Sequence, residues 1–267
     1  MKLTRLFAIG VFAGSLAMAS TSVPGIVSAT HLAGTSFSTA NRVFTRRAPS
    51  ANNLNGNTGI SLNQPQIWFE RQLSVPDLGG AGGTRVNWLG GTDSYGVIYS
   101  VPGSAASGPS PLSGPSTAFN TTRVLATGTA VHSYYLYSNR NNDATAGNSV
   151  YSAQVVFSLP ILGIIVTNTS SSQYLNATNS AYGRPSVTNY NTTSGSGFDN
   201  TNQDRLLVEN LGPGLGNRLS FKLANNGFDS IRILTATPEP ATWAAFGLIA
   251  ITLFVAARRR RATAHTA

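Results

Sequence analysis

The chain has 267 residues, of which 41% are hydrophobic and only 10% charged, with no cysteine and a formal net charge of +9. That length allows one or two domains with a real core, and the absence of cysteine excludes disulfides, thiolate metal sites and cysteine catalysis. The positive charge does not describe a nucleic-acid surface: residues 30–236 hold twelve Lys/Arg against eight Asp/Glu, scattered singly, and Lys2, Arg5 and four C-terminal arginines supply the other positive charges.

Residues 1–29 read as a signal peptide. A basic start (Lys2, Arg5) precedes an apolar run from Leu6 to Ala19, and small residues follow. The run is short for a membrane span, which needs roughly 17–25 residues. Two cleavage sites fit, one after Ala17-Met18-Ala19 and one after Val27-Ser28-Ala29. The second, between Ala29 and Thr30, is preferred, because Pro24 and Gly25 break any helix upstream and leave the chain extended.

Residues 30–236 form the exported domain. Its start, rich in Asn, Ser and Thr through residue 63, reads as a flexible N-terminal segment. Beyond it, helical periodicity is nearly absent and short alternating segments dominate, bounded by Gly, Pro, Asn and Ser. Strands are predicted at 84–90, 95–101, 130–138, 151–158, 162–167, 205–210, 218–224 and 229–236. In "RLSFKLA", Leu219, Phe221 and Leu223 share one face, opposite Ser220 and Lys222; in "DSIRILT", Ile231 and Ile233 oppose Arg232. This alternation is that of half-buried antiparallel strands. The fold class is therefore all-β, an antiparallel β-sandwich, with the jelly roll among the candidate topologies. "SQYLNATNSAYG" (172–183) is a predicted short helix. "PGSAASGPSPLSGPS" (102–116) reads as a long loop within one domain.

Little in this region points to catalysis, and no catalytic residue, metal ligand or cofactor is assigned. His132 alternates with tyrosines in a predicted strand, and no nucleophile-elbow pattern accompanies it. Glu70, Asp77, Asp93, Asp143, Asp199, Asp204, Glu209 and Asp229 are the available carboxylates. A glycosidase needs two of them facing each other, but most read as turn or surface groups. Asn141, Asp143 and Thr145 alternate as calcium ligands do, yet a hairpin loop explains the stretch without a metal. The glycine-rich segments 79–85 and 212–216 lack the Lys-Ser/Thr of a phosphate loop and read as turns. Asn120, Asn168, Asn176 and Asn191 fit Asn-x-Ser/Thr. A carbohydrate-binding module would use aromatics such as Trp88, Tyr134, Tyr135 or Tyr137 to stack on sugars, although alternation turns at least one tyrosine face toward the core.

The chain ends with Pro238-Glu239-Pro240, an uncharged run from Ala241 to Ala257, and Arg258-Arg259-Arg260-Arg261, followed by residues 262–267. As a helix the run would measure about 25 Å against a ~30 Å hydrocarbon core, just enough to span. The arginines favour the cytoplasmic side and put the body of the protein outside, the side the signal peptide also predicts. The prolines hold Thr237 and Glu239 extended, and Pro240 is suited to begin the helix. A cleavable joint is therefore expected beside the outer membrane surface.

Residues 237–261 resemble the PEP-CTERM sorting signal of Gram-negative-type bacteria, carried by Pro238, Glu239, Pro240, the apolar helix 241–257 and Arg258 to Arg261. The resemblance implies exosortase as partner, a membrane-embedded precursor, removal of the tail, and delivery to the cell surface or an exopolysaccharide matrix. It implies a surface or matrix protein of structural or adhesive role. A carbohydrate-binding module associated with exopolysaccharide is the alternative, and a secreted hydrolase a lesser one.

Overall fold

The computed structural model describes residues 23, 25–34, 66–78, 80–100, 112, 115–118, 123–139, 149–166, 174–185, 190, 204–211, 217–225 and 228–237. They form, in chain order, β1 (Ile26–Gly34), β2 (Gln66–Ser74), β3 (Gly83–Val86), β4 (Trp88–Leu89), β5 (Ile98–Ser100), β6 (Ser116–Ala118), β7 (Arg123–Ala126), β8 (Ala130–Asn139), β9 (Ser149–Phe157), β10 (Ile161–Ile165), α1 (Tyr174–Tyr182), β11 (Arg205–Asn210), β12 (Asn217–Asn225) and β13 (Phe228–Ala236).

Two sheets form the sandwich. One has the order β1-β9-β12-β11-β5-β6, the other β2-β8-β13-β10-β4. Every pairing is antiparallel except β5 with β6, which is parallel at one sheet edge. From one strand to the next, the chain crosses between the two sheets from β1 to β2, β4 to β5, β8 to β9, β9 to β10, β10 to β11 and β12 to β13. β5, before the segment 102–116, and β6, at its end, pair with each other.

The alternation read from the sequence fills the space between the sheets. Leu219, Phe221 and Leu223 of β12 and Val155 and Phe157 of β9 meet Tyr134 and Leu136 of β8 and Ile231 and Ile233 of β13 in one buried cluster. The rings of Tyr134 and Phe157 cross the interface edge-on, 5.1 Å apart. This is the inner-face packing of two twisted sheets.

The predicted half-burial fails for both sheets: on the outer face of the first, Ser152, Arg205, Ser220 and Lys222 are buried. The outer face of the second sheet is covered by α1 and by the two-stranded sheet of β3 and β7, which build a second core from Trp68, Val131, Tyr135, Tyr137, Leu234 and Tyr182 among others. Polar residues that alternation assigns to solvent, Arg232 above all, therefore lie inside.

All eight predicted strands are present, and the segment 84–90 divides into β3 and β4 at Asn87. There the side chain stands in for backbone: Asn87 Oδ1 accepts from Val166 N at 2.8 Å, while Asn87 N donates to Ile164 O at 2.7 Å. The sequence reading overlooked β1, β2, β6 and β7. β2 runs Ile67-Trp68-Phe69 without alternation, because both of its faces are buried and a bulge between Phe69 and Arg71 inserts Glu70. β1 occupies residues assigned to the signal peptide and to the start of the flexible segment; the remainder of that segment, 35–63, lies outside the described residues. The helix 172–183 is observed as α1.

Candidate functional site

The most elaborate polar constellation lies in the second core, where α1 packs on β2 and β13. The bulge turns Glu70 toward the helix, and the pairing of β13 with β8 puts Arg232 opposite Tyr135 on the same face. Arg232 and Glu70 form an ion pair with both side chains fully buried. It is bidentate: Nε donates to Glu70 Oε2 at 2.8 Å and Nη2 to Glu70 Oε1 at 3.0 Å. Nη1 donates to Leu175 O at 3.2 Å and to the Thr178 hydroxyl, and Nη2 also donates to Asn179 Oδ1 at 2.9 Å. All five guanidinium hydrogens thus have acceptors, three of them on α1.

Glu70 is satisfied in the same way. Ser133 donates to Oε2 at 2.5 Å, and the Tyr190 hydroxyl bonds the carboxylate while accepting Arg184 N at 2.7 Å. Tyr135, Tyr182 and Tyr190 surround the guanidinium, with ring centroids 5.0, 5.9 and 5.6 Å from Cζ. Burial pushes the Tyr135 and Tyr182 hydroxyls up to about 12, against the pull of the nearby cation, and raises Tyr190 still further. Arg232 is held above its ordinary value: burial opposes its charge, but Glu70 outweighs the burial. A buried charge pair is retained only where geometry and hydrogen bonds replace the lost water, as they do here. Chemically the arrangement is a clamp that fastens α1 to the sheet.

Other carboxylates are engaged similarly. Asp93 pairs with Arg123 and caps Leu89 N, Glu209 takes a bidentate Arg218, and Asp77 Oδ1 accepts Gly82 N in the glycine-rich turn. On the outer face of the first sheet, Arg205 and Lys222 stand opposite each other, both buried. Burial lowers the Lys222 ammonium, Arg205 lowers it further, and Asp204 opposes the shift.

The other predicted sites divide clearly. Trp88, Tyr134, Tyr135 and Tyr137 are all buried, so none of them can stack on a sugar; the aromatic platform is core. His132 contacts Phe69 and Tyr134 edge-on and hydrogen-bonds Gln72 Oε1 at 3.3 Å, and burial lowers its pKa. Asn176 lies within α1. No group of metal-binding side chains occurs among the described residues. Asn120, Asp143, Asn168, Asn191 and Asp199 lie outside them, as do the segments 141–148 and 212–216. So do Pro238, Glu239, Pro240, the apolar run 241–257 and Arg258 to Arg261; among the described residues no helix is long and apolar enough to cross a membrane. Ala29 and Thr30 fall in the middle of β1, opposite Val155 and Gln154 of β9.

Sequence reasoning missed where the chain enters and leaves the sandwich. The turn 158–160 between β9 and β10 receives both ends. Ser158 N donates to Gly25 O at 2.9 Å, and Ala236 N donates to Pro160 O at 2.8 Å. The residues before β1 and after β13 therefore depart from the same end of the domain. Both strands flanking that turn were legible, but nothing in their composition says which termini meet there. No protein-family profile, curated protein or solved structure matches this chain.

Proposed function

We propose that this is an exported bacterial surface or extracellular-matrix protein, delivered through its two terminal segments, whose β-sandwich has a structural or adhesive role. The observation that carries this reading is the common exit at the turn 158–160. A precursor held at both ends by a membrane needs both connections on one end of its folded part. Here they meet within one three-residue turn. Four residues, 237–240, separate β13 from the apolar run; fully extended they reach about 14 Å. So short a connection would keep a sorting joint near the folded domain, with its arginines favoured on the cytoplasmic side. The ion pairs of Glu70, Asp93 and Glu209 further support a load-carrying scaffold, since arginines occupy these carboxylates.

The test is the intact mass of the protein recovered from envelope and medium, with and without an active exosortase. The expected product lacks residues 241–261 only when exosortase is active. Retention of that segment in both strains refutes the sorting reading. A deletion strain should lose aggregation or matrix attachment; unchanged attachment refutes the structural role.

A further inference from the structure

We infer that signal peptidase cuts after Ala19, not after Ala29, so that the mature protein begins at Ser20 and keeps β1 whole. This rests on the export reading and deepens it. The residues between the two sites are part of the fold. Val23 and Ile26 are buried in the inter-sheet core, and Ala29 packs against it. Ile26 N donates to Val23 O at 3.1 Å, closing a turn that feeds the chain into β1. Gly25 has φ +77°, and a Cβ there would lie 2.1 Å from the Tyr134 hydroxyl oxygen. Its carbonyl accepts both Ser158 N and Ser158 Oγ, at 2.9 and 3.3 Å. Such a close backbone approach, at a φ that glycine alone adopts freely, is a packed feature of a finished domain.

A cut after Ala29 would remove all of this. β1 pairs with β9 through seven register positions, and Ile26, Ser28 and Ala29 account for three. The strand would shrink to Thr30–Gly34, Tyr134 would lose the Gly25 backbone beside its hydroxyl, and Phe157 would lose its register partner Ile26. A cut after Ala19 removes nothing described. It leaves Ser20-Thr21-Ser22 as a short polar lead before Val23. Ala17-Met18-Ala19 also has the small residues that the peptidase reads, and it directly closes the apolar run. Gly25, which with its neighbouring proline recommends the later site by breaking a helix, instead leads the chain into the strand.

The test expresses the full-length precursor in an exporting host and reads both ends of the mature product by mass spectrometry. An N-terminus at Ser20 is expected. An N-terminus at Thr30, or anywhere inside β1, overturns the inference while leaving export intact. Retention of residues 1–19 overturns both, and the state of residues 241–261 reports the sorting tail separately. Two variants sharpen the result. Ala19→Arg should accumulate as precursor, whereas Ala29→Thr should be processed at Ser20 like the parent. The reverse pattern overturns the inference even if either variant folds poorly, because the masses of precursor and product report the cut without requiring a folded domain.

Discussion

Replacing Arg232 by Met removes the guanidinium and keeps much of the side-chain volume. Glu70 then stays buried without its cation, holding only the Ser133 and Tyr190 hydrogen bonds. Breaking a buried pair from one side costs about 3–5 kcal/mol. Three acceptors on α1, Leu175 O, Thr178 Oγ1 and Asn179 Oδ1, lose their donor as well. Against a total of about 5–15 kcal/mol for an ordinary domain, this is a large fraction. Glu70→Gln should cost a similar amount from the other side. Combining Arg232→Met with Glu70→Leu should cost less than the two single changes added, because the second change removes the stranded charge. Guanidinium unfolding followed by tryptophan fluorescence measures all of this, with Trp68 as a reporter 5.2 Å from Tyr135 in the same core. Hydrogen exchange should show α1 losing protection before the sheets do. Single variants that each cost less than about 1 kcal/mol, with strictly additive effects, would refute the clamp.

Gly25→Ala forces a side chain into a left-handed backbone conformation against Tyr134, and should lower stability by about 1–3 kcal/mol in thermal unfolding. Arg218→Gln breaks a half-exposed pair with Glu209 and should cost less than about 1 kcal/mol by the same assay, in contrast to Arg232. Alkaline titration should unfold the domain between pH 10 and 12. Tyr134, Tyr135 and Tyr182 rise from 10.0 to about 12 when folded, so the unfolded chain loses its protons first. Their stabilisation is complete below pH 10 and is lost as pH rises through 12, on the order of 2 kcal/mol for each. Tyrosinate absorbance and loss of structure should appear together; tyrosinate forming well before unfolding would contradict the burial.

β12 was legible in place and period: its apolar residues face the other sheet as alternation requires and its bounds shift by only a residue, although Ser220 and Lys222 on its other face are buried as well. β13 was legible in place and period but not in environment. Arg232 alternates with isoleucines as a solvent-facing residue would, and its partner Glu70 lies 162 residues earlier. No local pattern encodes that distance. β2 escaped for a related reason, since a strand buried on both faces has no polar side to mark its period. The buried aromatics were half legible: alternation places Tyr134 apart from Tyr135 and Tyr137, but only the covering helix and the small sheet of β3 and β7 explain why both sets are interior.

The amino-acid order by itself determined the strands with two-residue period, the lack of thiol chemistry, and the basic and apolar segments at the two ends. These are local properties, set by neighbouring residues and by the partition of side chains between water and hydrocarbon. Only the tertiary structure decided that a third layer buries Arg232, that β1 draws Val23, Ile26 and Ala29 into the domain, and that both ends leave beside the turn 158–160. Each depends on which distant strands pair. Pairing is decided by the packing of a whole face, in which a glycine at residue 25 fits only because Tyr134 stands opposite it.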